Sequence, residues 1–195
     1  MTLKKLYHNR IFVTEYESTD NPEIDIQITR EILMSKGLLK EISTVESMFG
    51  LANSFARVAI DIYETDFKKS PFDGSRTSPF IVNGAFAIEL YIKTIYTLCK
   101  NPQRGHHLIK LYEGLDKQVK DVITICEQQL QENYDLSEGA NIRTCLEALS
   151  KAFEQWRYLY EHERLQVQVQ EIRFSMHVFG ETCRQLLVSE KIIKD

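Results

Sequence analysis

The stretch PFIVNGAFAIELYIKTIYTLCK, residues 79–100, decides the fold. Its first half is apolar on nearly every side, and a helix with that pattern lies in the centre of a protein. Ser78-Pro79 is typical of a helix start, because serine caps helices and proline suits the first helical position. We therefore predict a central helix from Pro79 to about Lys100, with further helices packed around it.

Amphipathic patterns flank this segment on both sides. Apolar residues recur at steps of four and three from Leu38 to Tyr63, which predicts one long helix. Shorter helical patterns follow Asp116, Ile142 and Val169. Eight glycines and four prolines in 195 residues are few, and so few helix breakers favour long helices. The sequence predicts an all-α fold, an up-and-down helical bundle of about five main helices.

The domain organisation follows from a turn signal near the start of the chain. Asp20-Asn21-Pro22 separates an N-terminal arm, residues 1–23, from a single helical-bundle domain, residues 24–195. Ile24, Ile26 and Ile28 alternate with polar residues, so this part of the chain is either a short strand or the start of a helix.

Charge and hydropathy limit the function classes. No signal-peptide core is present, and the longest uncharged stretch, residues 77–88, is too short to cross a bilayer, so we predict a cytoplasmic protein without a membrane partner. The formal net charge of −4 argues against a broadly basic nucleic-acid binder. Residues 93–120 nevertheless hold six lysines and arginines against two acidic residues, so this stretch is either a local anion-binding patch or a solvated surface with a modest charge bias.

Motifs for metals and cofactors are absent from the sequence. The four cysteines form no CxxC pair, and no HExxH, P-loop or GxGxxG pattern occurs. We predict no metal and no cofactor.

An arginine and a histidine near the end of the chain could cleave RNA. Arg157 could bind a phosphate and His162 could act as the general acid or base, while Trp156 and Tyr160 could stack on bases. On a straight helix, residues five apart differ in direction by about 140°, so the pair converges only if the helix ends near Tyr160 or a dimer completes the site. The alternative is structural, with Trp156 in the core and Arg157 paired to a glutamate.

Glu89 is the second candidate, because a carboxylate in so apolar a helix needs a partner. Lys93, four residues on, Arg157 or a histidine could supply it. The alternative is a buried polar contact that fixes helix register.

Three segments resemble the HEPN superfamily (higher eukaryotes and prokaryotes nucleotide-binding domain). Residues 83–93, NGAFAIELYIK, are similar to the family's apolar helix, and residues 105–112, GHHLIKLY, resemble the turn that follows it. Residues 156–162, WRYLYEH, are similar to the late helix that carries an Arg-x4-His motif. The resemblance covers about residues 78–190.

The resemblance implies a helical bundle that forms a homodimer, and places the chain near the bacterial defence, abortive-infection and toxin–antitoxin members. Many of these are RNases whose Arg-x4–6-His motif is catalytic, a role that would fall to Arg157 and His162, with Glu89 and His106 in support. Catalytic members usually have Asn, Asp or His after the arginine, where this chain has Tyr158.

Two functions follow from this resemblance. The first is a non-catalytic dimerisation module that binds a nucleotide, RNA or a partner protein, with the ligand near the basic stretch 93–120. The alternative is a metal-independent RNase toxin that uses Arg157 and His162.

Overall fold

The computed structural model describes residues 2–39, 41–71, 73–156 and 168–193, and for residues 151–156 the backbone only. Two strands and seven α-helices occupy these ranges. Their bounds are β1 Thr2–His8, β2 Ile11–Ser18, α1 Pro22–Ser35, α2 Thr44–Ile62, α3 Thr77–Leu98, α4 Leu108–Glu113, α5 Lys117–Leu130, α6 Ile142–Trp156 and α7 Val169–Ser189. A π-helical turn, Tyr63–Phe67, extends α2, and a short 3-10 helix, Gln131–Asn133, follows α5. The predicted all-α fold is confirmed, with one small sheet added to it.

The chain forms two compact units, residues 1–43 and residues 44–195. In the first, β1 and β2 pair as an antiparallel hairpin, with Thr2 opposite Ser18. Asn9 and Arg10 have φ values of 49° and 66°, the left-handed conformation that a tight hairpin turn requires. Of the two readings of residues 24–28, the helix is correct: Asn21 caps α1 by accepting a hydrogen bond from the Glu23 amide at 3.0 Å.

Asp25 ties the hairpin of the first unit to α1. The Ser18 hydroxyl donates to Asp25 Oδ2 at 2.5 Å, the Thr19 amide donates to Oδ1 at 2.7 Å, and Lys4 Nζ lies 3.2 Å from Oδ2. Together these donors, the Ser18 hydroxyl first, hold the pKa of Asp25 well below its usual range. Both strands are therefore linked to α1 through one ionised carboxylate.

In the second unit α3 lies at the centre, as predicted, and contacts α2, α4, α6 and α7. Its residues Phe80, Ile88, Ile92 and Ile95 have no exposed surface. Helix α2 runs antiparallel to it, because residues near the start of one meet residues near the end of the other. The aromatic pairs Phe55–Phe86 and Phe67–Phe80, with ring centroids 5.6 and 5.1 Å apart, belong to this interface.

Helices α3 and α7 run in the same direction, and glycines allow their close approach. A Cβ atom added at Gly84 of α3 would lie 2.6 Å from Ile172 Cγ2 of α7. One added at Gly180 of α7 would lie 3.3 Å from the phenol ring of Tyr91 on α3. Any larger residue at Gly84 would therefore separate the two helices.

Two predicted helix starts are wrong. The seam predicted from Leu38 becomes helical only at Thr44; Leu38 and Ile42 are 42% and 57% exposed. Gly37 has a φ of 68°, which ends the preceding helix and which a continuous helix could not contain. Helix α3 begins at Thr77 rather than Pro79, with Arg76 in the capping position, so Ser78 lies inside the helix. The predicted start of the last helix at Val169 is confirmed.

Candidate functional site

Glu89 on α3 has partners from its own helix and from the loop after it. Lys93 Nζ lies 2.7 Å from Glu89 Oε1, and His106 Nδ1 lies 2.9 Å from the same oxygen. The glutamate is 5% exposed, whereas the side chain of His106 is 72% exposed. A buried carboxylate therefore anchors a histidine that faces solvent, and three predicted site residues come together.

Contacts on both sides of the loop that carries His106 fix its position. The amides of Cys99 and Asn101 donate to Ile95 and Tyr96 carbonyls at 2.9 Å, which closes the end of α3. The Tyr96 hydroxyl donates to the Leu111 carbonyl at 2.8 Å and links α3 to α4. Gly105 has a φ of 102°, a conformation open to glycine, and lets the chain turn into the two histidines.

These elements enclose a pocket of about 450 Å³, here called the α3–α4 pocket. Its lining combines basic side chains with a few polar and apolar groups and includes no acid: Tyr96, Gln103, Arg104, Gly105, His106, His107, Lys110, Leu111 and Gly114. His107 Nδ1 is buried and has no hydrogen-bond partner among the described residues. Because buried polar atoms in proteins are normally paired, this nitrogen is an exception in the wall of the pocket.

The remaining predicted site residues fall where the structure gives no side chain. Arg157, Tyr160 and His162 lie outside the described residues. Trp156 is the last residue of α6, and only its backbone is described. The Arg-x4-His arrangement therefore stays a prediction.

A second pocket, of about 630 Å³, lies between α2 and α7 and is called the α2–α7 pocket. It holds an arginine–histidine pair that the sequence analysis missed, Arg173 and His177 of α7. Their spacing of four residues puts them on one helix face. That spacing is the signal that the sequence offers for this pair. The full lining is Phe49, Asn53, Ala56, Ile60, Tyr91, Tyr134, Arg173, Met176, His177, Gly180, Glu181, Arg184 and Ile193.

Two tyrosines hold Arg173 in the α2–α7 pocket. Its guanidinium carbon lies 3.7 Å from the ring centroid of Tyr63 and 5.4 Å from that of Tyr134. Arg173 Nη1 donates to Gln170 Oε1 at 2.7 Å, and Gln170 donates in turn to the Tyr63 hydroxyl at 3.3 Å. Within the described part of the chain, no carboxylate lies within ion-pair distance of Arg173.

His177 and the second arginine of this pocket have different partners. The Tyr134 hydroxyl and His177 Nδ1 are 2.8 Å apart. Burial raises the pKa of Tyr134, so the phenol keeps its proton. Arg184 donates twice to Glu181, at 2.9 Å to each oxygen, and these hydrogen bonds lower the pKa of the Glu181 carboxyl. The Arg184 charge is thus matched inside the pocket, whereas no carboxylate of the described residues matches that of Arg173.

Comparisons with known proteins add no family to this description. No family model matches the chain, and no curated protein and no solved structure matches it either. The two pockets are therefore the features of this chain that bear on its function.

The chemistry open to these pockets is that of charge and hydrogen bonding. In the ranges that the structure describes, no group of three or more His, Cys, Asp or Glu side chains is placed to hold a metal ion. None of the described helices has the length and hydropathy of a membrane-crossing segment. What both pockets offer is cationic donors for an anion, in a basic setting at α3–α4 and in an aromatic one at α2–α7.

Proposed function

We propose that this chain is a HEPN-like, cytoplasmic binding module of a bacterial defence or toxin–antitoxin system, and that its α3–α4 pocket binds the phosphate of a nucleotide or of RNA. One observation carries the proposal: on a protein with a formal net charge of −4, Arg104, His106, His107 and Lys110 surround one pocket without an acid in its lining. A local excess of cationic donors attracts and orients phosphate oxygens.

The buried Glu89 supports this role by positioning His106. The hydrogen bond from His106 to a carboxylate that is itself fixed by Lys93 sets the orientation of the imidazole ring. The other ring nitrogen, Nε2, then lies away from Glu89, and in the protonated ring it donates to a phosphate oxygen. Glu89 and Lys93 are therefore positioning residues, and Arg104 and Lys110 supply the charge.

The binding test separates phosphate from the rest of the nucleotide. We expect AMP to bind the purified chain in isothermal titration calorimetry and adenosine to bind at least tenfold more weakly. The exchanges Arg104→Gln and Lys110→Gln should each weaken AMP binding about tenfold, since a hydrogen bond to a charged group contributes roughly 1.5–3 kcal/mol. Arg57→Gln is the charge-matched control, because Arg57 is exposed on α2 and outside the pocket lining.

Two sources of the phosphate are distinguished by a second titration with a short single-stranded RNA. Tighter binding of the RNA than of AMP would identify nucleic acid as the ligand, and the reverse would identify a free nucleotide. Equal affinities for AMP and adenosine, or full affinity in both pocket variants, would contradict the proposal. Because the titration is run in EDTA, RNA that is cut during it would instead support the RNase alternative.

The resemblance also supports a homodimer, and α2 offers a face for it. Leu51 and Val58 lie seven residues apart on one side of α2 and are 50% and 45% exposed. We expect light scattering to give twice the monomer mass, and Leu51→Glu to reduce it to the monomer mass. A monomeric parent chain would contradict this part of the proposal.

A further inference from the structure

The α2–α7 pocket has the construction of a small-molecule site. Its volume of about 630 Å³ lies in the range of ligand pockets, roughly 300–1,000 Å³. Its walls are mainly apolar and aromatic, with Phe49, Met176 and the ring of Tyr91 among them. A few polar groups converge on this apolar space, which is the usual composition of a site for an organic ligand.

The charge of the pocket selects an anion. Glu181 neutralises Arg184 through two hydrogen bonds, so this pair adds no net charge. Arg173 has no carboxylate partner among the described residues, and only one of its five N–H donors makes a hydrogen bond there. Among the described residues, the pocket therefore carries one unmatched positive charge, on a guanidinium that the ring of Tyr63 holds in place.

The neighbouring side chains of Arg173 and His177 favour a carboxylate as the ligand group. Arg173 and His177 are neighbours on one face of α7, with Cβ atoms about 5–6 Å apart as for any residues four apart on a helix. In the tautomer in which His177 Nδ1 accepts from the Tyr134 hydroxyl, 2.8 Å away, the ring proton lies on Nε2, which is then a donor. A carboxylate offers two oxygens and one negative charge, which matches one guanidinium and one imidazole N–H better than a phosphate dianion does.

The pocket also contains the amide side chain of Asn53. The Tyr91 hydroxyl donates to Asn53 Oδ1 at 2.7 Å, which fixes the side chain of Asn53. No partner for Asn53 Nδ2 occurs among the described residues, so this group can donate to a polar atom in the body of a ligand. Gly180, beside Tyr91, leaves the space that a side chain would fill.

We propose that the α2–α7 pocket binds a small organic carboxylate with an apolar, ring-containing body. Its carboxylate pairs with Arg173 and accepts a hydrogen bond from His177, while its ring packs against Phe49 and Met176. This site differs from the α3–α4 pocket in its residues and in its ligand chemistry, so either proposal can fail without the other.

The test uses 1-naphthoate as the probe and its amide, 1-naphthamide, as the uncharged match. We expect 1-naphthoate to bind with one-to-one stoichiometry and 1-naphthamide to bind at least tenfold more weakly. Decanoate, a carboxylate with a flexible chain, should bind more weakly than 1-naphthoate, because ordering its chain costs conformational entropy. Isothermal titration calorimetry on the full chain gives all three constants.

Substitutions test whether 1-naphthoate binds in the α2–α7 pocket. Arg173→Gln should weaken 1-naphthoate binding about tenfold or more and leave 1-naphthamide binding unchanged, whereas the control Arg57→Gln should change neither constant. Arg173→Lys should restore part of the affinity, because it keeps the charge but loses the guanidinium fork. If Arg173→Gln does not fold, as judged by circular dichroism, His177→Phe serves in its place and should weaken binding severalfold.

Three outcomes would overturn the proposal. The first is the absence of saturable 1-naphthoate binding at millimolar concentration, which would point to a protein segment as the occupant. The second is equal affinity for 1-naphthoate and 1-naphthamide, and the third is full affinity in Arg173→Gln. AMP binding measured on the same samples keeps the two sites distinguishable, since Arg173→Gln should leave it unchanged.

Discussion

The α3–α4 pocket and the α2–α7 pocket use the same kinds of side chain in opposite surroundings. In the first, arginine, lysine and two histidines follow one another along a loop and a short helix, residues 103–114. In the second, one arginine that no described carboxylate matches lies among aromatic and aliphatic side chains from residues 49–193. A loop can thus concentrate charge, whereas packed helices can surround one charge with apolar walls.

The largest expected difference between the two pockets is in the dependence of ligand affinity on salt concentration. With two phosphate contacts on single-stranded RNA, the slope of log affinity against log salt is about −1.4, so a tenfold rise in NaCl should weaken RNA binding about 25-fold. Binding of 1-naphthoate should weaken less than about threefold, because its single ion pair is partly buried and screened less. Titrations at two NaCl concentrations measure both effects. Equal salt sensitivity would contradict the proposed difference between the two pockets.

Two glycine exchanges should act on stability in opposite directions. Gly84→Ala should lower the free energy of unfolding by about 1–3 kcal/mol, because its new methyl group would lie 2.6 Å from Ile172. Gly50→Ala on α2 is the matched control; its Cβ would meet no atom within 4 Å, so it should raise stability by about 0.5–1 kcal/mol.

Urea unfolding measures both glycine variants, and the pockets respond differently to Gly84→Ala. Met176, which lines the α2–α7 pocket, would lie 3.5 Å from the new methyl group, so 1-naphthoate binding should weaken more than AMP binding. Equal loss at both pockets would mean that α3 and α7 transmit the change throughout the second unit.

A smaller effect is expected from Tyr134→Phe. Without the hydroxyl that orients His177, 1-naphthoate binding should weaken about threefold. This change is a fraction of the usual net free energy that one hydrogen bond contributes. Tyr112→Phe is the control, because the Tyr112 hydroxyl makes no hydrogen bond in the described ranges and lines neither pocket. AMP binding should be unchanged in both variants, and an unchanged 1-naphthoate constant in Tyr134→Phe would remove His177 from the site.

Asp25→Asn should change neither binding constant, since no residue of the first unit lines either pocket. The substitution should instead change how the stability of the first unit depends on pH in the acidic range. The folded-state pKa of Asp25 is depressed, so its contribution to stability is complete above the unfolded value of about 3.9 and is lost as pH falls below that value. The protection factors of the hairpin amides against hydrogen exchange should fall with acid in the parent chain and much less in Asp25→Asn.

The sequence predicted those features that depend on local pattern. The central position of α3 follows from its own apolar residues, and the contact between Glu89 and Lys93 follows from their spacing of four. The start of α2 was predicted too early, because the apolar steps extend back to Leu38 although the chain becomes helical only at Thr44. A periodic pattern reports which face is apolar but does not report where the backbone leaves the helix.

The α2–α7 pocket could not be predicted in the same way. Arg173 and His177 are four residues apart in the sequence. Their positions in the pocket depend on contacts with Tyr63 and Tyr134, which lie far away along the chain. No spacing rule links an arginine to a tyrosine 110 residues earlier. The absence of a carboxylate partner for Arg173 among the described residues is likewise a property of the folded chain alone.

The parallel contact between α3 and α7 has a consequence for synthesis of the chain on the ribosome. The Cys183 thiol donates to the Tyr91 carbonyl at 3.4 Å, across 92 residues of sequence, and Gly84 meets Ile172 over a similar separation. The apolar surface of α3 that α7 covers stays open until nearly the whole described chain has emerged. A nascent or truncated chain that lacks α7 would therefore expose that surface, and we expect it to require a chaperone or to aggregate.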